Sequence, residues 1–154
     1  AACHEHGVPT IVDSRYGVRS FSGVDYVKQN DAELAAAFER HFDTKDALEE
    51  AARELIAELG AKGALITRGE KGMMLFLADG ARHEIPVSDK SEVYDVSGAG
   101  DTCVAAFILA LAGGALPLAA AQLSNIASGI AVRKFGTATV SAAELTRKVR
   151  ELSV

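Results

Sequence analysis

The sequence predicts an α/β fold: a mostly parallel, Rossmann-like sheet with helices on both faces, plus one β-hairpin. Three observations predict it. Short apolar or β-branched runs alternate along the chain with longer segments of helical period. Two of those runs, Val8–Asp13 and Ala64–Thr67, read as buried strands, as in a sheet covered on both faces. Asp79-Gly80 stands between two further strand-like runs, a strong hairpin signal.

The elements follow in order. Ala1–Pro9 reads as the last turn of a helix running into a strand. Val8–Asp13 is a β-branched run ending in a carboxylate and reads as a buried strand. Val24–Gln29 is a second short strand. Asp31–His41 is helical, and Asp43–Leu59 more clearly so. There Leu48, Ala52, Leu55, Ile56 and Leu59 fall on one helical face and Gly60 stops the run. Ala64–Thr67 is a buried strand, and Met73–Leu77 with Arg82–Val87 forms the hairpin. Gly100–Ala112 and Leu118–Lys134 are apolar helices, parted by Gly113-Gly114, the second opened by Pro117. Ser141 and Glu144 have capping-box spacing and open a last helix. Ligands of such sheets bind beyond the carboxyl ends of the strands. Asp13, Asn30, Thr67 and Asp101 each follow a strand, so they are expected along one edge.

Composition narrows the function. The chain has 154 residues, enough for one domain with a sizeable core. Its formal net charge of −5 argues against a nucleic-acid partner. Every apolar run is broken by Arg, Lys, Gln or Asp before it reaches membrane-spanning length. The two cysteines, Cys3 and Cys103, form neither a disulfide framework nor a metal spacing. Cys103 reads as a small buried hydrophobe. His4, His6, His41 and His83 are scattered and read as surface residues.

The most informative stretch is Asp95–Ile108. Gly98-Ala99-Gly100 precede a carboxylate, Asp101, and an apolar helical run follows at once. Glycines let backbone N–H groups turn toward an oxyanion. The helix N-terminus behind them adds positive dipole character. A carboxylate beside a bound phosphate is placed to act as a general base. The chemistry suggested is phosphoryl transfer to an alcohol. The same residues also fit a tight strand-to-helix turn without ligand, with Asp101 as an ordinary N-cap.

That stretch resembles the C-terminal signature of the ribokinase-like (PfkB) carbohydrate kinases, whose pattern runs Asp-Thr-x-Gly-Ala-Gly-Asp and then a helix of small apolar residues. Asn30-Asp31-Ala32-Glu33 resembles the family's Asn-x-x-Glu motif. Thr67–Gly72 resembles its nucleotide loop. Asp13-Ser14-Arg15 and Phe135–Ser141, with Glu144-Leu145 just after, resemble the heptose-7-phosphate kinase branch. The resemblance runs from about Ala1 to Leu152.

The resemblance implies the C-terminal, ATP-binding half of a kinase, lacking the N-terminal half that holds the sugar. It implies Asp101 as catalytic base, with Gly98, Ala99 and Gly100 giving N–H groups to the transferring phosphoryl group. Glu33 is expected to hold Mg²⁺ through water, with Asp31 as the alternative carboxylate, and Asn30 to face the phosphates. Asn30 and Glu33 equally suit a purely structural helix cap. Thr67, Gly69 and Gly72 would border the nucleotide, or form a plain turn into the next strand. Arg68, Lys71 and Arg15 are loop cations that could reach an anion or simply meet solvent. Asn125, Ile126 and Gly129 lie on the helix whose family counterpart borders the adenine. Helix packing explains a helical glycine as well. Asp95, Ser97 and Gly136 stand where some members bind a monovalent cation such as K⁺.

Two further functions compete: a non-catalytic nucleotide-binding or scaffold module, and a PfkB kinase acting on ribose, fructose phosphate or a nucleoside. The resemblance implies a cytoplasmic protein binding a nucleotide and a sugar phosphate, and it allows a homodimer. The isolated half is expected to be inactive as a kinase.

Overall fold

The computed structural model describes residues 2–88 and 94–152. Two compact units make up the chain, residues 1–84 and 85–154.

The first unit is built on a sheet whose strands lie in chain order: β1 (Ile11–Asp13), β2 (Tyr26–Asn30), β3 (Gly63–Thr67), β4 (Met73–Leu77) and β5 (Arg82–Ile85). β1, β2 and β3 are mutually parallel, and β4 runs antiparallel to β3. A short helix α1 (Ala2–Glu5) precedes β1, and α2 (Asp31–Phe38) and α3 (Lys45–Leu59) cross over between β2 and β3. Register places Val12, Val27, Ala64 and Phe76 in one row across the sheet. They share a buried core with Leu34 and Phe38 of α2 and Leu48, Ala52, Leu55 and Leu59 of α3. Truncating a fully buried leucine such as Leu55 typically costs about 2–5 kcal/mol, so this face anchors the unit.

Local chemistry sets the element ends. Thr44 caps α3, its Oγ1 accepting from Ala47 N at 3.2 Å, so the helix starts at Lys45 and not at Asp43. Gly60 ends it in the left-handed region at φ 64°. α2 stops at Phe38, short of the expected His41, because Glu39 adopts φ 52° and turns the chain. β1 begins at Ile11 rather than Val8: Pro9 has no N–H, and the Thr10 N–H donates to the Asp25 carboxylate at 2.8 Å instead of a strand. The hairpin forms where Asp79-Gly80 predicted it, with Asp79 Oδ1 accepting from Ala81 N at 2.9 Å. β5 ends at Ile85, since Pro86 cannot extend the ladder.

The second unit is helical: α4 (Ala99–Ala112), α5 (Pro117–Ala131) and α6 (Ala142–Leu152). α5 ends at Ala131, earlier than the expected Lys134. Cys103 and Phe107 of α4 and Ala120, Ala121, Ser124 and Ala127 of α5 are buried. Cys103 Sγ lies 3.7 Å from Ser124 Oγ. The Ser141–Glu144 capping box is present: Glu144 Oε2 accepts from Ser141 N at 2.8 Å, and Ser141 Oγ from Glu144 N at 3.3 Å. Among the described residues, no helix is long and apolar enough to cross a membrane.

Candidate functional site

In the first unit, the carboxyl ends of β2 and β3 place Asn30 and Thr67 side by side, as register partners. Asp13 ends β1 two positions further back, opposite Lys28. The expected gathering therefore holds for Asn30 and Thr67, while Asp101 belongs to the second unit.

Asn30 is the N-cap of α2 and Glu33 its third residue. Asn30 Oδ1 accepts from Glu33 N at 2.7 Å, and Glu33 Oε2 accepts from Asn30 N at 2.9 Å. The capping box read from the sequence is thus closed. It occupies one oxygen of each side chain. Glu33 Oε1 and Asn30 Nδ2 make no hydrogen bond among the described residues, so a carboxylate oxygen and an amide donor remain for a ligand. The free carboxylate oxygen fits hydrated Mg²⁺, which takes one or two carboxylates and keeps several waters, and the amide NH₂ fits an anionic oxygen. Among the described residues no group of three or more His, Cys, Asp or Glu could hold a metal directly.

Thr67 leads into a closed turn. Arg68 N donates to Gly72 O at 2.8 Å, and Gly72 N to Gly69 O at 3.0 Å. Gly69 and Gly72 both take positive φ, 55° and 78°, which explains the two glycines without a ligand. The turn joins antiparallel neighbours β3 and β4.

In the second unit, Gly98 is the N-cap of α4, at φ 76°. This places Asp101 at the third helical position and corrects the N-cap reading of that residue. Its exposed carboxylate makes no hydrogen bond among the described residues. Asp95 ties the preceding segment together: Oδ1 accepts from Ser97 N at 2.8 Å and Oδ2 from Gly136 N at 3.1 Å. The Ser97 N–H and hydroxyl and the Gly136 N–H hold its carboxyl below the usual carboxylate range. Asp95, Ser97 and Gly136 are therefore one hydrogen-bonded cluster.

Asn125 and Gly129 serve the same unit structurally. Asn125 is buried and its Nδ2 donates to Pro86 O at 2.7 Å. A Cβ on Gly129 would stand 2.7 Å from Ser88 Oγ, so this glycine admits the chain segment before the second unit's helices. Ile126 is half-buried on the same helix.

Three buried polar residues escaped the sequence reading. Lys28 Nζ pairs with Asp13 Oδ2 at 3.0 Å, with little exposure of the lysine. Gln29 is fully buried. Asp25 is buried just before β2, bonded to Thr10 N, Thr10 Oγ1 and Lys62 Nζ, with His4 Nε2 at 3.3 Å from Oδ2. Burial alone would raise the Asp25 carboxyl, but the bonds from Lys62 and Thr10 hold it down to about 2. His4 is thus more than a surface bystander. The available signal was charge inside an otherwise apolar strand run, Asp25-Tyr-Val-Lys28.

The chain is an α/β protein with left-handed glycines in the turn after β3 and at the start of α4. The family model described as pfkB family carbohydrate kinase matches residues 1–144, and the chain belongs to that family. A bifunctional protein HldE of Mesorhizobium japonicum is 43% identical over 147 residues, covering 95% of this chain and 29% of the relative. Phosphofructokinase-2 from Escherichia coli, solved in complex with potassium, superposes with a TM-score of 0.83 at 24% identity, covering 99% of this chain and 50% of that one. Arabidopsis thaliana ribokinase, solved with ribose and ATP, gives a TM-score of 0.84 at 23% identity, covering 95% and 49%. The chain thus spans less than a third of the curated relative's length and about half of each solved kinase. The expected ribokinase-like fold is borne out.

Proposed function

We propose that this chain is the nucleotide-binding half of a kinase that transfers the γ-phosphoryl group of ATP to a hydroxyl of a sugar phosphate, heptose 7-phosphate on the resemblance of residues 135–145. The observation that carries it is Asp101. Its carboxylate stands in the first turn of α4, behind the left-handed Gly98, and caps nothing. The N–H groups of Gly98 and Gly100 stabilise the oxyanion as charge develops, while that of Ala99 donates to Val96 O at 3.2 Å and joins them only if that bond opens; Asp101 accepts the proton of the attacking hydroxyl. Asn30 and Glu33 face the polyphosphate, Glu33 through the waters of Mg²⁺, which neutralises phosphate charge when bound. Thr67, Gly69 and Gly72 border the nucleotide, and Asn125 and Gly129 shape its adenine side by holding residues 86–88. Asp95, Ser97 and Gly136 bind a monovalent cation. The protein works in the cytoplasm.

Calorimetric titration of the chain with ATP and GTP, with and without Mg²⁺, tests this. Weak, Mg²⁺-dependent binding that favours ATP is expected. Equal heats for both nucleotides, or none at millimolar concentration, reject it. A second reading, binding without turnover, is favoured for the isolated chain because it spans only half of the solved kinases. Positioning of the acceptor is worth about 7–11 kcal/mol of a barrier, so no sugar phosphorylation above background is expected from these residues alone.

A further inference from the structure

Among the described residues of the first unit, Gln29 is the buried side-chain amide, with no exposed surface. Its Nε2 donates to the Ser14 carbonyl at 3.0 Å and to the Lys28 carbonyl at 2.8 Å. Two carbonyl acceptors fix the amide's orientation, because only the NH₂ end can serve them. Its Oε1 is buried without a partner among the described residues. A leucine or methionine would fill this space without stranding an acceptor, so what the amide contributes is the tie to Ser14.

Ser14 is where that tie matters. The β1–β2 ladder ends at the Asp13–Lys28 pair, so the backbone beyond Asp13 has no strand partner. Ser14 opens a tight turn, its Oγ donating to Tyr16 O at 2.6 Å, with Gly17 following at φ 67°. The next side chain, Arg15, is exposed and packs its guanidinium 6.0 Å from the Tyr16 ring centroid. It has no ion pair among the described residues. The same sheet edge presents Asn30, one residue after Gln29.

We propose that Gln29 is a positioning residue for anion recognition: its buried amide fixes the Ser14 carbonyl and so presents Arg15 beside Asn30 to a phosphate oxygen. This rests on the phosphate site proposed above. The oxygen belongs either to the nucleotide polyphosphate or to a sugar phosphomonoester. Arg15 binds it; Gln29 acts only through the turn.

The test is a double-mutant cycle on the chain, wild type, Arg15→Gln, Gln29→Leu and the double variant, titrated with ATP, inorganic tripolyphosphate, ribose 5-phosphate and adenosine. Circular dichroism and melting temperature confirm folding. Gln29→Met, which keeps the length and loses the amide donors without burying a charge, stands in if Gln29→Leu does not fold. Arg15→Gln is expected to weaken the phosphorylated probe by about tenfold or more, as for a lost charged hydrogen bond. Gln29→Leu should weaken it severalfold, and should have no further effect once Arg15 is gone. Adenosine binding should not change. Loss confined to ATP and tripolyphosphate identifies the nucleotide as the source, and loss confined to ribose 5-phosphate identifies the sugar phosphate. Independent, multiplying effects, or an unchanged affinity in Gln29→Leu, overturn the role of Gln29. If wild type binds none of the phosphorylated probes, the phosphate site itself is refuted and Gln29's role with it.

Discussion

Asn30 and Glu33 hold one another reciprocally at the start of α2, each side chain accepting from the other's backbone N–H, at 2.7 and 2.9 Å. In the proposed function this one pair carries two separable tasks, closing a helix end and facing a phosphate-bound metal. Glu33→Gln separates them. The amide oxygen can still accept from Asn30 N, so stability should change by less than about 0.5 kcal/mol. The negative charge is lost, so the Mg²⁺ dependence of ATP binding should disappear. Glu33→Ala should lose the cap as well, at about 1 kcal/mol. Melting temperature and calorimetric Mg²⁺ titration of both variants read the two effects apart. A Glu33→Gln variant with undiminished Mg²⁺ dependence leaves Glu33 as a cap alone.

Gly98 predicts a backbone effect. At φ 76° an alanine pays the left-handed cost of about 1–2 kcal/mol. Its Cβ would also sit 3.1 Å from Thr137 Cγ2. Gly98→Ala should therefore lower the melting temperature and weaken ATP binding together. Glu39→Gly is the complementary case. Glu39 already occupies φ 52° with a side chain, and relieving that strain should stabilise the first unit by about 1 kcal/mol. Urea unfolding of both variants measures the opposite signs.

Asp25 predicts acid sensitivity. Its folded-state carboxyl lies at about 2 against an ordinary 3.8. A group with a lowered folded value adds stability above its unfolded value and loses it as pH falls through the folded one. Stability from Asp25, about 2 kcal/mol for this shift, should therefore be complete above about pH 4 and fade toward pH 2. Asp25→Asn should remove that pH dependence and destabilise the protein at pH 7, since Lys62 loses its counter-charge and Thr10 an acceptor. Denaturation midpoints across this window provide the check, and parallel pH profiles for both proteins would contradict it.

What the sequence disclosed was what is local. The period of α3, its stop at Gly60, the Asp79-Gly80 hairpin and the Ser141–Glu144 cap all rest on residues a few positions apart, and each formed. The buried polar ties were illegible for the opposite reason. Thr10–Asp25, Asp13–Lys28 and Ser14–Gln29 each join residues fifteen apart across a parallel strand pair. Their pairing depends on the β1–β2 register, which no local pattern encodes. The same limit applies to Gly129, whose small size answers Ser88, far away in the chain. For Asp101 the motif supplied the residue, while its place in the helix depended on which glycine turned left-handed.

That place makes Asp101→Asn decisive. As an N-cap, aspartate and asparagine would be interchangeable. At the third position of α4, with no hydrogen-bonded partner among the described residues, the carboxylate supports the helix only through its dipole, about 0.3–1 kcal/mol. In the full-length enzyme, Asp101→Asn should leave ATP affinity intact and shift the melting temperature little. Turnover should fall by about 10²–10⁴-fold, because the amide keeps the size of the side chain but cannot take the acceptor's proton. Single-turnover rates, ATP affinity and melting temperature, measured side by side, distinguish the two roles. A rate within about twofold of wild type would reduce Asp101 to a helix-end charge and remove the base from the proposed reaction.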